Sequence, residues 1–334
     1  MRLENILALT KGTLYSDPSV NFFETIAFDV TKVKRGSIFI AHNPSDIPEA
    51  LSSGAYGILF DKPTQIADSE VAWIKVNNID EALKRLLRFY LLEKELQVYA
   101  CDPITVYLAS AISTPKNVCA IEGNVAQVWE KLASLEKSSI VLFSPLLTDS
   151  EIFIDTKPMI KSNASTITVV EHTLFETSFV YNDIFYERQM LSPFFIPYLE
   201  ELLFFYMTMK IEFQIKNFAK IGHFIPTFTN DKLETKEFGS SDHVVIFEPL
   251  LELIDAEIDF LEERASWSKT LYILPKVLKT PRTMGIKNIL FYENTEKIVT
   301  LLQNNSFHFA LVAGADKMIL NPPRPRIQQL EMEF

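Results

Sequence analysis

Five histidines (His42, His172, His223, His243 and His308) and two cysteines (Cys101 and Cys119) are the side chains best suited to metal binding or nucleophilic chemistry in this chain. No histidine stands four residues from another, and neither cysteine has a partner at metal-ligand spacing, so neither a zinc-type site nor a catalytic triad is legible. The histidines are expected at isolated surface or strand-end positions. The cysteines, each inside an apolar strand-like run, are expected to be buried free thiols. Carboxylates concentrate at Glu252, Asp255, Glu257, Asp259, Glu262 and Glu263, mostly on one helix-forming stretch. They read as the solvated face of that helix rather than as an acid–base pair. No Gly-x-Ser-x-Gly elbow occurs, and none of the nine glycines forms a Gly-x-x-x-x-Gly-Lys phosphate loop. Gly285 and Gly314 stand alone, which excludes a dinucleotide fingerprint. The residues themselves therefore offer no catalytic group, no metal site and no cofactor site.

The elements that would position any chemistry are clearer. A length of 334 residues allows two or three domains with proper cores, and the 48% hydrophobic and 22% charged content is that of an ordinary globular chain. A net charge of −11 argues against a nucleic-acid groove, which needs a basic face. The most apolar segment, 190–209, contains Pro193, Pro197, Glu200 and Glu201; it reads as a core helix, since two adjacent carboxylates at bilayer depth are very costly. With no leader segment legible, the expected location is the cytoplasm and no membrane insertion is expected. The aromatic runs Phe194-Phe195 and Phe204-Phe205-Tyr206 read as core. With 26 phenylalanines, some of this surface is also compatible with a subunit interface, and so with an oligomer.

Along the chain, strands and helices alternate in the pattern of parallel sheets with crossover helices, an α/β fold. Residues 1–95 hold strands at 37–41, 57–60 and 71–76 and helices at about 47–53 and 79–93, the latter opened by Asn78 with Glu81 three positions on. Gly36 and Gly54 stand at the strand entries. Residues 96–238 hold strands at 97–101, 117–121, 139–143, 152–155, 166–171 and 177–181. Helices are expected at 104–112, 124–135 and 193–210, with 211–219 continuing or following the last. Residues 239–321 hold strands at 243–247, 270–274, 288–292 and 308–313 and helices at 249–264 and 295–304. A polar, Pro-rich tail at 322–334 is expected on the surface.

The order Asp29-x-Thr31, Lys34-Arg35-Gly36-x-Ile38-Phe39-x-Ala41, Gly54-Ala55-x-Gly57-Ile58-Leu59 resembles the N-terminal uridine-nucleotide domain of the Mur ligases. Within that family it is most similar to the ligase that adds D-alanyl-D-alanine to UDP-N-acetylmuramoyl-tripeptide. Weaker likenesses follow at Ile121-Glu122-Gly123-Asn124, at Gln189-x-Leu191-x-Pro193, at Phe291-x-x-Asn294-Thr295-Glu296-Lys297 and at Leu311-Val312-Ala313-Gly314-Ala315. The resemblance implies three domains: a uridine-nucleotide-type α/β domain (1–95), a truncated ATPase-like parallel-sheet domain (96–238) and a Rossmann-like C-terminal domain (239–321).

The resemblance also implies ATP-driven ligase chemistry, and here the chain departs from it. The phosphate loop should follow the strand 97–101, where Asp102-Pro103-Ile104-Thr105-Val106 supplies neither Gly nor Lys. Phe143 stands where the family has a magnesium-binding Glu, and a hydrophobe cannot ligate a hard cation. Phe194-Phe195-Ile196 replaces the family's His-Asn, Thr227-Phe228 its hinge Gly-Arg, and Phe247-Glu248-Pro249 its Asp-rich third-domain start. The loop used around the UDP-sugar is shortened to His42-Asn43-Pro44-Ser45-Asp46. Thr31 and Asn124 survive as the substrate-binding candidates, each with a local alternative: turn chemistry for Thr31, helix capping for Asn124. The expectation is a degenerate, non-catalytic relative with a binding or scaffolding role near peptidoglycan-precursor metabolism. Its partner would be a cell-wall synthesis protein or a UDP-muramoyl-type ligand. The alternatives are a divergent amide ligase acting on UDP-N-acetylmuramoyl peptide and a uridine-nucleotide-sensing regulator.

Overall fold

A computed structural model describes residues 1–92, 94–161, 165–216, 218 and 221–320. The chain forms two compact units: Met1–Ser162 with Glu201–Lys216, and Asn163–Glu200 with the remainder from Asn217.

The first unit opens with α1 (Leu3–Thr10), β1 (Thr13–Leu14), β2 (Thr25–Ala27), β3 (Ser37–Ala41), α2 (Ile47–Ser52), β4 (Gly57–Phe60), β5 (Ala72–Lys75) and α3 (Ile79–Leu92). The strands pair in the order β1-β5-β4-β3-β2, all parallel except β1. β3 is buried along its whole length, as a parallel strand covered on both faces must be. Gly36 and Gly54 enter β3 and the turn before β4 with φ of 90° and 92°, left-handed values that any side chain would strain. Helix α3 starts where Asn78 accepts the Glu81 N–H at 2.9 Å, and its Ile79, Leu83, Leu86 and Leu87 stripe is buried. Truncating a side chain such as Leu83 there costs about 2–5 kcal/mol.

A second sheet follows from β6 (Gln97–Ala100), α4 (Pro103–Ala111), β7 (Val118–Ile121), α5 (Val125–Ala133), β8 (Ile140–Phe143) and β9 (Lys157–Pro158), paired β7-β8-β6-β9 and all parallel. One continuous core joins the two sheets through α1, α3 and α5. The strand expected at 152–155 is instead a 3-10 turn, Ser150–Ile152, capped by Asp149, which accepts the Glu151 N–H at 2.9 Å. The local carboxylate cap outcompetes extended backbone, and pairing resumes only at β9.

The second unit begins with an antiparallel sheet of β10 (Thr168–His172), β11 (Thr177–Tyr181) and β12 (Ile184–Gln189). The chain passes between the units within α6 (Ile196–Thr208). No helix continues through the described residues of 211–219: Lys210 turns left-handed at φ 56°, ending α6, and Gln214 instead bridges to Ser113. The second unit then builds β13 (Ile225–Thr229), β14 (His243–Glu248), α7 (Ile254–Arg264), β15 (Thr270–Pro275), α8 (Pro281–Met284), β16 (Ile289–Tyr292), α9 (Glu296–Gln303) and β17 (Phe309–Ala313). Their sheet runs β13-β14-β17-β15-β16, parallel but for the edge strand β13. The expected helix 249–264 is shorter at its start, since 251–253 is a 3-10 turn leading into α7. The expected tail 322–334 lies outside the described residues. No described helix is long and apolar enough to cross a membrane.

Candidate functional site

The turn after β6 is closed by its own residues. The Cys101 N–H donates to the Phe143 carbonyl at 2.9 Å, and the Asp102 carboxylate accepts the Ile104 N–H at 2.9 Å, capping α4. Pro103 sits at the first helical position, where it brings no N–H, and Ile104, Val106 and Leu108 are fully buried. The helix end that could have received an anion is thus already occupied by a carboxylate. A phosphate placed there meets a like charge, worth about 4 kcal/mol of repulsion at 4 Å and an effective dielectric of 20; the helix dipole returns about 0.3–1 kcal/mol. Repulsion wins. Burial raises the Asp102 carboxyl above its ordinary range, opposed by the Ile104 N–H and by Lys161. Burial, then the Asp102 charge, pushes the Cys101 thiol up to about 12. At the end of β8, Phe143 is 1% exposed and packs on Phe153 with ring centroids 4.8 Å apart. An aromatic plug occupies that position.

Thr31 and Asn124 both carry local bonds. Thr31 lies in a 3-10 turn and donates both its N–H (2.8 Å) and its hydroxyl (2.7 Å) to Asp29. Asn124 caps α5, accepting the Gln127 N–H at 3.0 Å while Gln127 Oε1 accepts the Asn124 N–H at 3.0 Å. The structure links their neighbourhoods: Lys32, next to Thr31, donates to Glu130 on α5 at 2.6 Å. Beside this pair opens a cavity of about 700 Å³ walled by Phe28, Tyr90 and Trp129. The Trp129 ring lies 6.1 Å from Phe28 and 5.9 Å, stacked, from Tyr90. A ring-binding pocket with a lysine and a glutamate at its edge can hold a planar group that carries charge. Its three rings come from separate elements, so no local pattern announced it.

The second unit holds a polar cluster that sequence reasoning placed elsewhere. His223, expected at the surface or a strand end, is buried with its Nδ1 2.6 Å from Glu248 Oε1. Glu248 also accepts the N–H groups of Phe224 (3.0 Å) and Leu250 (2.7 Å). Glu257, expected on the solvated face of its helix, is fully buried; among the described residues no N–H or O–H of another side chain or backbone group reaches either of its carboxyl oxygens. Burial first, then the Glu248 charge and a hydrogen bond between the two carboxyls, raises Glu257 well above its ordinary value. A signal was available: position 257 is three residues from Ile254 and four from Leu261, on the buried stripe. Among the described residues, no group of three or more His, Cys, Asp or Glu side chains is arranged to hold a metal ion.

No family model matches the sequence, and no curated protein sequence matches it. Solved structures do. A crystal structure of MurF from Acinetobacter baumannii is similar with a TM-score of 0.50 at 10% identity, over 93% of this chain and 95% of that one. The UDP-N-acetylmuramoylalanyl-D-glutamyl-2,6-diaminopimelate–D-alanyl-D-alanyl ligase from the same organism gives 0.47 at 10% identity, over 94% and 95%. MurF from Thermotoga maritima in complex with ADP gives 0.46 at 13% identity, over 89% and 95%. At such identities the likeness is one of fold: the chain has the multi-domain α/β fold of the Mur ligases.

Proposed function

We propose that this protein is a non-catalytic member of the Mur-ligase fold with a binding or scaffolding role linked to peptidoglycan-precursor metabolism. The observation that carries the reading is Asp102, whose carboxylate caps the helix end where ligase chemistry needs a phosphate. Phe143 and Phe153 fill the position where a magnesium ligand would stand, in keeping with the same loss. What remains available is binding. The cavity beside Lys32 and Glu130 offers aromatic faces to a base and, in Lys32, a cation to a phosphate, the needs of a UDP-muramoyl-type ligand.

Thermal unfolding with UDP, UDP-N-acetylmuramic acid or ATP–Mg²⁺ tests this, since a ligand bound only by the native state raises Tm. The uridine ligands are expected to raise it and ATP–Mg²⁺ to leave it unchanged. Micromolar ATP–Mg²⁺ binding, or turnover of a UDP-muramoyl peptide with ATP and an amino acid, overturns the non-catalytic reading.

A further inference from the structure

The second unit contains a separate cavity of about 720 Å³, within the size range of small-molecule sites. It opens at the N-terminal ends of the parallel strands, beside Val244 of β14 and Phe309 of β17. Open α/β sheets ordinarily receive ligands at the opposite, C-terminal ends. Its floor is aromatic: the Phe175 ring lies 6.1 Å from both Phe228 and Phe309, each buried. At its mouth two large rings are held in water. Trp267 is 73% exposed and Phe238 42% exposed, although Trp267 packs edge-on against Phe309 at 5.9 Å and Phe238 lies 4.9 Å from Phe228. Rings fixed by neighbours yet open to solvent lose little entropy when a flat ligand covers them.

The lining sets Arg188 and Arg264 against Glu176 and Asp242; with Glu176 paired to Arg188 and Asp242 3.6 Å from His243 Nδ1, Arg264 is the group placed to favour an anion on that ligand. His308 Nδ1 accepts the Lys269 N–H at 3.0 Å, so in the neutral ring Nε2 carries the proton and is a donor. The His308 ring lies 6.5 Å from Trp267. Among the described residues Arg264, three residues before Trp267, pairs only with its chain neighbour Glu263, at 3.4 Å and with both side chains at least half exposed. Such a pair holds a guanidinium weakly. The other lining arginine, Arg188, is engaged by the mostly buried Glu176 at 3.3 Å.

We propose that this cavity binds a planar aromatic carboxylate, its ring seated among Trp267, Phe238 and Phe309 and its carboxylate received by Arg264 and the Nε2–H of His308. The probe is 2-naphthoate, with 2-naphthamide as the neutral control, added to the full chain labelled with 5-fluorotryptophan. The chain has three tryptophans, so fluorine NMR gives three signals, with Trp267 assigned by its loss in Trp267→Phe. Naphthoate is expected to move the Trp267 signal saturably with Kd below about 1 mM; the amide, or Arg264→Gln, is expected to weaken binding about tenfold. Phe238→Ala, at an exposed position, is expected to weaken the acid and the amide alike. The proposal is overturned by no saturable movement of Trp267 up to about 10 mM. It is equally overturned by movement of Trp129 alone, or by equal affinity for acid and amide.

Discussion

His223 Nδ1 lies 2.6 Å from Glu248 Oε1 in the interior of the second unit, where the His223 side chain is 5% exposed and that of Glu248 not at all. Two backbone N–H groups complete the set around Glu248, and Glu257 shares the same buried volume. A hydrogen-bonded buried carboxylate is expensive to disturb, because removing one partner leaves desolvated polar groups with their hydrogen bonding incomplete.

Glu248→Ala is therefore expected to destabilise the second unit by about 3–5 kcal/mol, since it takes a buried acceptor from the imidazole and from two N–H groups. A double-mutant cycle with His223→Ala should return a coupling of about 1–3 kcal/mol. Urea unfolding followed through a probe in the second unit measures both. Additive single effects would show that the close approach carries no energy of its own.

Glu257 titrates in the other direction from a salt-bridged carboxylate. Its folded pKa lies well above 4.5, so the folded chain holds a proton that the unfolded chain releases. Its contribution to stability is complete below the unfolded value and is lost as pH rises toward the folded one, at about 1.4 kcal/mol per pH unit. Glu257→Gln keeps the shape and the donor but cannot ionise. Its stability advantage over the parent is expected to be near zero at acidic pH, to grow from about pH 5 upward, and to level off above the folded pKa. A pH-independent difference in unfolding free energy would place the charge elsewhere.

Asp102 serves as a cap and carries a charge, and two substitutions separate these roles. Asp102→Ala loses the cap and is expected to cost about 1 kcal/mol, whereas Asp102→Asn keeps an acceptor for the Ile104 N–H and should cost little or nothing at neutral pH. Because Asn also removes the like charge, it is the more informative background for nucleotide titration. Calorimetry with ATP–Mg²⁺ should remain silent for Asn as for the parent, because Pro103 and the buried apolar helix still supply no phosphate cradle.

Cys101 should resist alkylation in the folded chain. With its thiol pushed up to about 12, roughly one molecule in ten thousand is thiolate at pH 8. Its side chain also lies against the Phe143 carbonyl, 3.5 Å away. Mass-resolved iodoacetamide labelling is expected to modify Cys101 only as fast as the first unit opens, and rapidly in denaturant. Fast labelling under native conditions would mean an open turn after β6.

The sequence by itself determined the alternation of strands and helices, the positions of β3, β4 and α3 and the glycine turns at 36 and 54. These follow from local periodicity, capping and backbone freedom, which a chain carries wherever it is placed. It also revealed that no phosphate loop follows β6, because that loop is a contiguous motif and its absence can be read directly. Tertiary structure alone decided what fills the gap: that Asp102 turns its carboxylate onto its own helix, and that Phe143 meets Phe153. It alone decided that His223 and Glu257, from segments with no local cue of partnership, converge on Glu248. Both aromatic cavities belong to this second class, since their rings come from elements distant in sequence and only packing brings them face to face.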